Sequence, residues 1–81
     1  MEEIKNSIKT YILDEFLPGE DPDLLTESTP LVTGGILDSL ATLKLVAFLE
    51  QTYRIEIQPH EIGTDNLDTL LAISKLVKTK L

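Results

Sequence analysis

The sequence predicts an all-α fold: a small bundle of three main helices plus a short helix placed third, with a long loop between the first two helices. Three observations carry this prediction. Apolar residues recur at helical spacing in three separate segments. The one run that alternates like a strand, Arg54-Ile55-Glu56-Ile57, has no second strand candidate to pair with. And 81 residues, with no internal repeat or low-complexity stretch, set the scale of a single domain over residues 1–81.

The first helix is expected from roughly Glu2 to Phe16. Ile4, Ile8, Tyr11, Ile12 and Phe16 form its apolar face, with Glu3, Lys5, Lys9, Asp14 and Glu15 largely elsewhere. Glu2 and Glu3 suit the positive end of the helix dipole, and Pro18-Gly19 ends the helix. A connection from about Leu17 to Leu37 follows. Pro18, Pro22, Pro30 and three glycines prevent a continuous helix there. Leu24, Leu25, Leu31, Val32, Ile36 and Leu37 predict that the loop is pinned to the core, with a short helical turn around Asp23 to Thr26. Loops this long are uncommon in compact domains and often functional.

The second helix should run from Ser39 to about Tyr53. Asp38 is its expected N-cap, with the carboxylate accepting from the N–H of Leu40 or Ala41. At about 100° per residue, Thr42, Leu45, Val46, Leu49 and Tyr53 share a core stripe. Leu40, Leu43 and Ala47 fall on the opposite side, among Lys44, Glu50 and Gln51. A helix that serves only a core needs no second apolar stripe, so this outer face is read as a docking surface.

Beyond it, Arg54 to Ile57 reads as an extended link with its isoleucines turned inward. Pro59 opens a short third helix, Pro59 to about Ile62, which Gly63 stops. The last helix is expected over about Asp68 to Lys80, with Asp68 as its cap and Leu70, Leu71, Ala72, Ile73, Leu76 and Val77 as its buried side. Lys75, Lys78 and Lys80 sit near its negative end and read as dipole partners. Leu45, Val46, Leu49, Ile62, Leu71 and Ala72 either line a cleft between the last three helices or fill a tight core.

Composition excludes several chemistries. A chain this short buries only about 60% of its unfolded surface, for a stability of about 5 kcal/mol. It has no cysteine and one histidine, His60, so disulfides, thiolate metal sites, histidine metal clusters and His-based triads are excluded. Fourteen acids against seven bases give a net charge of −7, which repels a nucleic-acid backbone and steers in basic partners. No stretch approaches the ~20 apolar residues of a membrane span. No signal peptide is expected after the acidic Met1-Glu2-Glu3 start, so a soluble, cytoplasmic monomer is expected.

The most informative segment is Gly34-Gly35-Ile36-Leu37-Asp38-Ser39-Leu40. Its glycines let the chain turn sharply into the helix, and Ser39 is placed at the helix mouth. The first N–H groups of a helix lack internal partners, so the backbone itself would hold an anionic phosphodiester attached there. The same residues also read as ordinary helix punctuation, and the surrounding sequence decides between the two.

Along essentially its whole length the chain resembles acyl carrier proteins and the related peptidyl and aminoacyl carriers. The residues that carry the resemblance are Thr29-Pro30-Leu31, Gly35-Ile36-Leu37-Asp38-Ser39-Leu40, Phe48-Leu49-Glu50-Gln51-Thr52-Tyr53, Ile55-Glu56-Ile57 and Asn66-Leu67-Asp68-Thr69. The resemblance implies that a phosphopantetheinyl transferase moves 4′-phosphopantetheine from coenzyme A onto Ser39. Asp38 and Leu40 flank the attachment point, and Asp38 helps present the serine and the transferase's metal ion. The terminal thiol then carries acyl intermediates as thioesters to partner enzymes in fatty-acid, lipid or specialised acyl biosynthesis. A ligase or synthase loads them and downstream transferases receive them.

By the same resemblance Leu40, Leu43, Lys44, Ala47, Glu50 and Gln51 form the partner-docking face. Carriers of fatty-acid synthesis are strongly acidic along this helix, whereas this chain has Ala41, Lys44 and Gln51 there. The Leu-Asp-Ser form of the motif is also similar to D-alanyl and other aminoacyl carriers, which keeps an aminoacyl or peptidyl carrier open as the alternative. An unmodified helical adaptor is the reading from a different class. A hydrolase using Ser39 is disfavoured, because no histidine base adjoins it. The chain is thus expected to serve enzymes as substrate and tether, with no catalytic residues and no bound metal of its own.

Overall fold

The computed structural model describes residues 2–81. Helix α1 spans Glu2–Phe16, and its Ile8 and Ile12 are fully buried, as a 3.6-residue period requires. Tyr11 stacks on Phe48 with ring centroids 4.0 Å apart and meets Phe16 edge-on, while its hydroxyl donates to the Lys44 carbonyl. These contacts fix α1 against the second helix, and α1 also packs on the last helix.

The loop from Leu17 to Asp38 holds one short 3-10 turn, Pro22–Leu24, capped by the Asp21 carboxylate. Leu25, Leu31 and Leu37 are its anchors, each 0–1% exposed. The loop folds back on itself where the Leu37 N–H donates to the Leu31 carbonyl. That reversal brings the backbone at Gly34 so close to Pro30 that a Cβ would collide with the Pro30 carbonyl oxygen, and Gly35 adopts φ +83°.

Helix α2, Ser39–Tyr53, buries Ala41, Leu45, Val46 and Leu49. The core stripe is therefore centred nearer Ala41 than the sequence pattern suggests, and Thr42 and Tyr53 are only half-buried. Arg54 closes the helix in the left-handed region, φ 54°. The link that follows is extended and unpaired, with Ile57 buried.

Two expectations about the C-terminal third are corrected. The region after Pro59 is not one short helix to Ile62. It is a 3-10 turn, Pro59–Glu61, followed by a separate single-turn helix α3, Thr64–Leu67, with Gly63 as its N-cap. The Glu61 carboxylate explains the tight turn, since it accepts from the Gln58 N–H and pairs with Lys80 at 2.7 Å. The last helix, α4, starts at Leu70 and runs to Lys80, and its N-cap is Thr69, not Asp68. The Thr69 hydroxyl accepts from the Ala72 N–H at 3.0 Å, because the Asp68 carboxylate is committed to the long loop. Ile73 and Val77 complete the core, and the Ser74 hydroxyl, buried among them, donates to the Leu71 carbonyl.

Candidate functional site

Ser39 is the first residue of α2 and lies on the surface. Its position follows from two local choices. The reversed loop delivers the chain to Asp38 in an extended conformation, φ −83° and ψ −174°. The Asp38 carboxylate then accepts from the Ala41 N–H at 2.8 Å, and the Asp38 carbonyl accepts from the Thr42 N–H and hydroxyl. Asp38 thus caps the helix, as its place in the sequence predicts, with Ala41 as the partner.

Because Asp38 does the capping, the hydroxyl next to it is left over. The Ser39 Oγ has no hydrogen-bond partner among the described residues, and neither do the N–H groups of Ser39 and Leu40. These are free donors at the positive end of a helix of 15 residues, so an anionic ester on Ser39 would meet them without a basic side chain. The residues therefore fit the attachment of a phosphodiester.

A groove of about 520 Å³ opens beside Ser39. Val32 and Leu37 from the loop, Thr42 and Leu43 from α2, and Ile62, Gly63, Thr64 and Leu67 from the far side form its walls. Sequence reasoning names only Ile62 of the far wall. Leu45, Val46 and Leu49 fill the core instead, at 0–7% exposure, while Leu71 and Ala72 line a different surface hollow with Lys75 and Thr79. No sequence signal joins Val32 to Leu67, because only the folded loop makes them neighbours.

Asp68 is the residue that holds this loop in place. Its Oδ1 accepts from the N–H groups of Val32 and Thr33 at 2.8 and 2.9 Å, and its Oδ2 accepts from the Thr33 hydroxyl. Its carbonyl takes the Leu31 N–H. The N–H of Thr33, followed by the other loop donors, holds the Asp68 carboxyl below its ordinary range against a smaller opposing effect of burial. The Asn66-Leu67-Asp68-Thr69 segment carries a signal of this kind only in having two side chains competent to cap one helix.

The outer face of α2 is exposed as expected for Leu40 (63%) and Leu43 (57%), and Lys44, Ala47 and Gln51 are exposed with them. Glu50 differs. It is half-buried, and its Oε2 accepts from the Ile57 N–H at 3.0 Å, so it braces the link that follows the helix. Lys44 makes no ion pair among the described residues. These residues hold no group of three or more His, Cys, Asp or Glu that could bind a metal ion, and no helix long and apolar enough to cross a membrane.

No family model matches the chain. A curated relative does: the protein named "Probable acyl carrier protein PigG" from Serratia sp. (strain ATCC 39006) is 35% identical over 75 residues, 93% of this chain and 85% of the relative. A chain in the solved structure described as "Crystal structure of FAD-dependent dehydrogenase" superposes with a TM-score of 0.78 at 33% identity, covering 86% of this chain and 97% of that one. With the all-helical bundle and an uncommitted serine hydroxyl at the head of α2, this likeness over nearly the full length places the chain in the acyl carrier protein family.

Proposed function

We propose that this chain is a carrier, not a catalyst, and that its Ser39 Oγ bears 4′-phosphopantetheine donated by coenzyme A. One observation carries the reading. Ser39 is exposed with a free hydroxyl, because its neighbour Asp38 has taken over the capping of α2. In the attachment, the Ser39 oxygen would form a new ester bond to the phosphorus of the pantetheine phosphate, the phosphoanhydride of coenzyme A would break to release adenosine 3′,5′-bisphosphate, and the serine proton would leave to a base of the transferase. When bound, the group supplies a terminal thiol that holds an acyl group as a thioester. The backbone N–H groups of Ser39 and Leu40 orient the phosphodiester, and the exposed face of Leu40, Leu43, Lys44, Ala47 and Gln51 meets partner enzymes.

The pathway read here is a specialised one. The recognition face lacks free carboxylates, which separates it from carriers that pair with strongly basic enzymes. A flavin-dependent dehydrogenase is a fitting partner, since a solved structure described by that activity contains a chain slightly shorter than this one with the same fold. Such an enzyme would take two electrons and two protons from the carried acyl group onto its own FAD. The test is intact mass after incubation with coenzyme A and a broad-specificity transferase. A gain of one phosphopantetheine in the wild type, absent in Ser39→Ala, is expected. No gain with several transferases would favour an unmodified adaptor.

A further inference from the structure

Ser39 is delivered to the surface by a loop with no slack, and that loop is held from one place. The Leu37 N–H donates to the Leu31 carbonyl at 2.8 Å and the Gly35 N–H to the Val32 carbonyl at 3.2 Å, so residues 31–37 close into a single reversal. Its limbs lie so near each other that no Cβ fits at Gly34, and Leu31 and Leu37 are sunk in the core at its two ends. Asp38 and Ser39 follow directly. Among the described residues, every hydrogen bond that leaves residues 31–37 for the rest of the chain ends on Asp68: from the N–H groups of Leu31, Val32 and Thr33 and from the Thr33 hydroxyl. Asp68 is itself a fixed post. It closes α3, its N–H donating to the Thr64 carbonyl, and it directly precedes Thr69, the cap of α4. Leu67 and Leu70 on either side of this joint are buried.

We infer that Asp68 is a positioning residue for the loading of Ser39: it fixes the Leu31–Thr33 limb, and the closed reversal then presents the Ser39 hydroxyl to the transferase in one orientation. The inference rests on the carrier reading above. The role needs the shape of the Asp68 side chain and not its charge. One oxygen takes two N–H groups and the other takes a hydroxyl. Asparagine reproduces both, since its amide oxygen accepts and its amide nitrogen donates to the Thr33 oxygen. Glutamate keeps the charge but carries its oxygens one methylene farther, into the limb itself, and alanine supplies no acceptor. Freeing the limb leaves the Asp38 cap in place, so α2 stays whole for the transferase to dock on while the reacting oxygen loses its alignment.

The experiment measures steady-state loading of the full chain by coenzyme A and a broad-specificity transferase, each protein held well below its own melting temperature. The proteins are wild type, Asp68→Asn, Asp68→Glu, Asp68→Ala and Ile8→Val, the last a core truncation on α1 that makes none of the loop's hydrogen bonds. In Asp68→Ala and Asp68→Glu, kcat should fall about tenfold or more while the KM for the carrier stays within about twofold. Asp68→Asn should keep both constants within about threefold of wild type, and Ile8→Val should load at the wild-type rate. The backbone amide signals of Gly34 to Ser39 should move in the alanine and glutamate variants and hold still in the asparagine one. Wild-type kcat in Asp68→Ala, a loss carried by KM alone, or an unmoved Ser39 amide would each overturn the inference. So would glutamate loading faster than asparagine, which a role for the charge predicts, or an equal loss in Ile8→Val, which a general loss of stability predicts. Should Asp68→Ala not fold, the order of asparagine and glutamate decides alone. Failure of the wild type to accept the arm at all would instead overturn the carrier reading, and the positioning role with it.

Discussion

Two helix starts in this molecule are spelled almost alike and built differently. Asp38-Ser39-Leu40 opens α2 and Asp68-Thr69-Leu70 opens α4. At the first, the aspartate caps the helix and the hydroxyl residue is left free. At the second, the hydroxyl residue caps and the aspartate is left over to bind the loop. The register of the cap differs by one residue, and with it the fate of the hydroxyl. Local sequence offers both arrangements, since serine, threonine and aspartate are all good caps. Which one forms depends on what else needs a carboxylate. The loop presents the N–H groups of Val32 and Thr33 to Asp68, whereas among the described residues the Asp38 carboxylate accepts only from the Ala41 N–H of its own helix.

The largest test of that contrast is to loosen the loop itself. Leu31 is fully buried beside its hydrogen bond to the Asp68 carbonyl, so Leu31→Ala should cost about 2–5 kcal/mol in urea unfolding. A loss below 1 kcal/mol would mean the loop is not anchored through the core. Next comes Asp68→Ala, which strips three acceptor contacts from the loop and should lower the urea midpoint while leaving the slope unchanged. The pH dependence carries a sign. Asp68 is held below its unfolded value of about 3.9, so its contribution is present above that pH and is lost as pH falls through the folded value. Wild-type stability should therefore drop more steeply below about pH 4 than that of Asp68→Asn. Some acid sensitivity should persist in the variant, because Lys80 and then the Gln58 N–H hold Glu61 down in the same direction. Parallel pH curves for the two proteins would remove Asp68 from its assigned role.

The smallest effects give the sharpest comparison. Asp38→Ala and Thr69→Ala each remove an N-cap and should cost about 1 kcal/mol. Ser39→Ala removes a hydroxyl with no partner and should stay within about 0.5 kcal/mol of wild type. A Ser39→Ala cost equal to that of Thr69→Ala would show that both hydroxyls cap, and would cancel the argument for a free Ser39.

Much of the fold was legible in the chain. The bounds of α1 and α2 follow from period and punctuation alone: isoleucines at helical spacing before Pro18-Gly19, and Asp38 ahead of an apolar run. The pinned loop was legible too, through Leu25, Leu31 and Leu37, although Leu24, read as a further anchor, is 61% exposed. The start of α4 was not, since a contact between residues 33 and 68 outbid a local capping preference. The groove was hidden for a similar reason. Its walls come from loop, α2 and α3, and the stripe that shaped the sequence reading belongs to the core face of α2. Glu50 shows the limit on the outer face, where helical spacing gives direction but not whether a carboxylate is already occupied.

Gly34 has a consequence for mutational tolerance. It is exposed, and solvent exposure is the usual guide to positions where a protein accepts change. Here that guide fails, because any side chain would drive into the Pro30 carbonyl across the reversal. A library that varies the surface around Ser39 should hold position 34 fixed and diversify Gly63, where the same addition meets nothing.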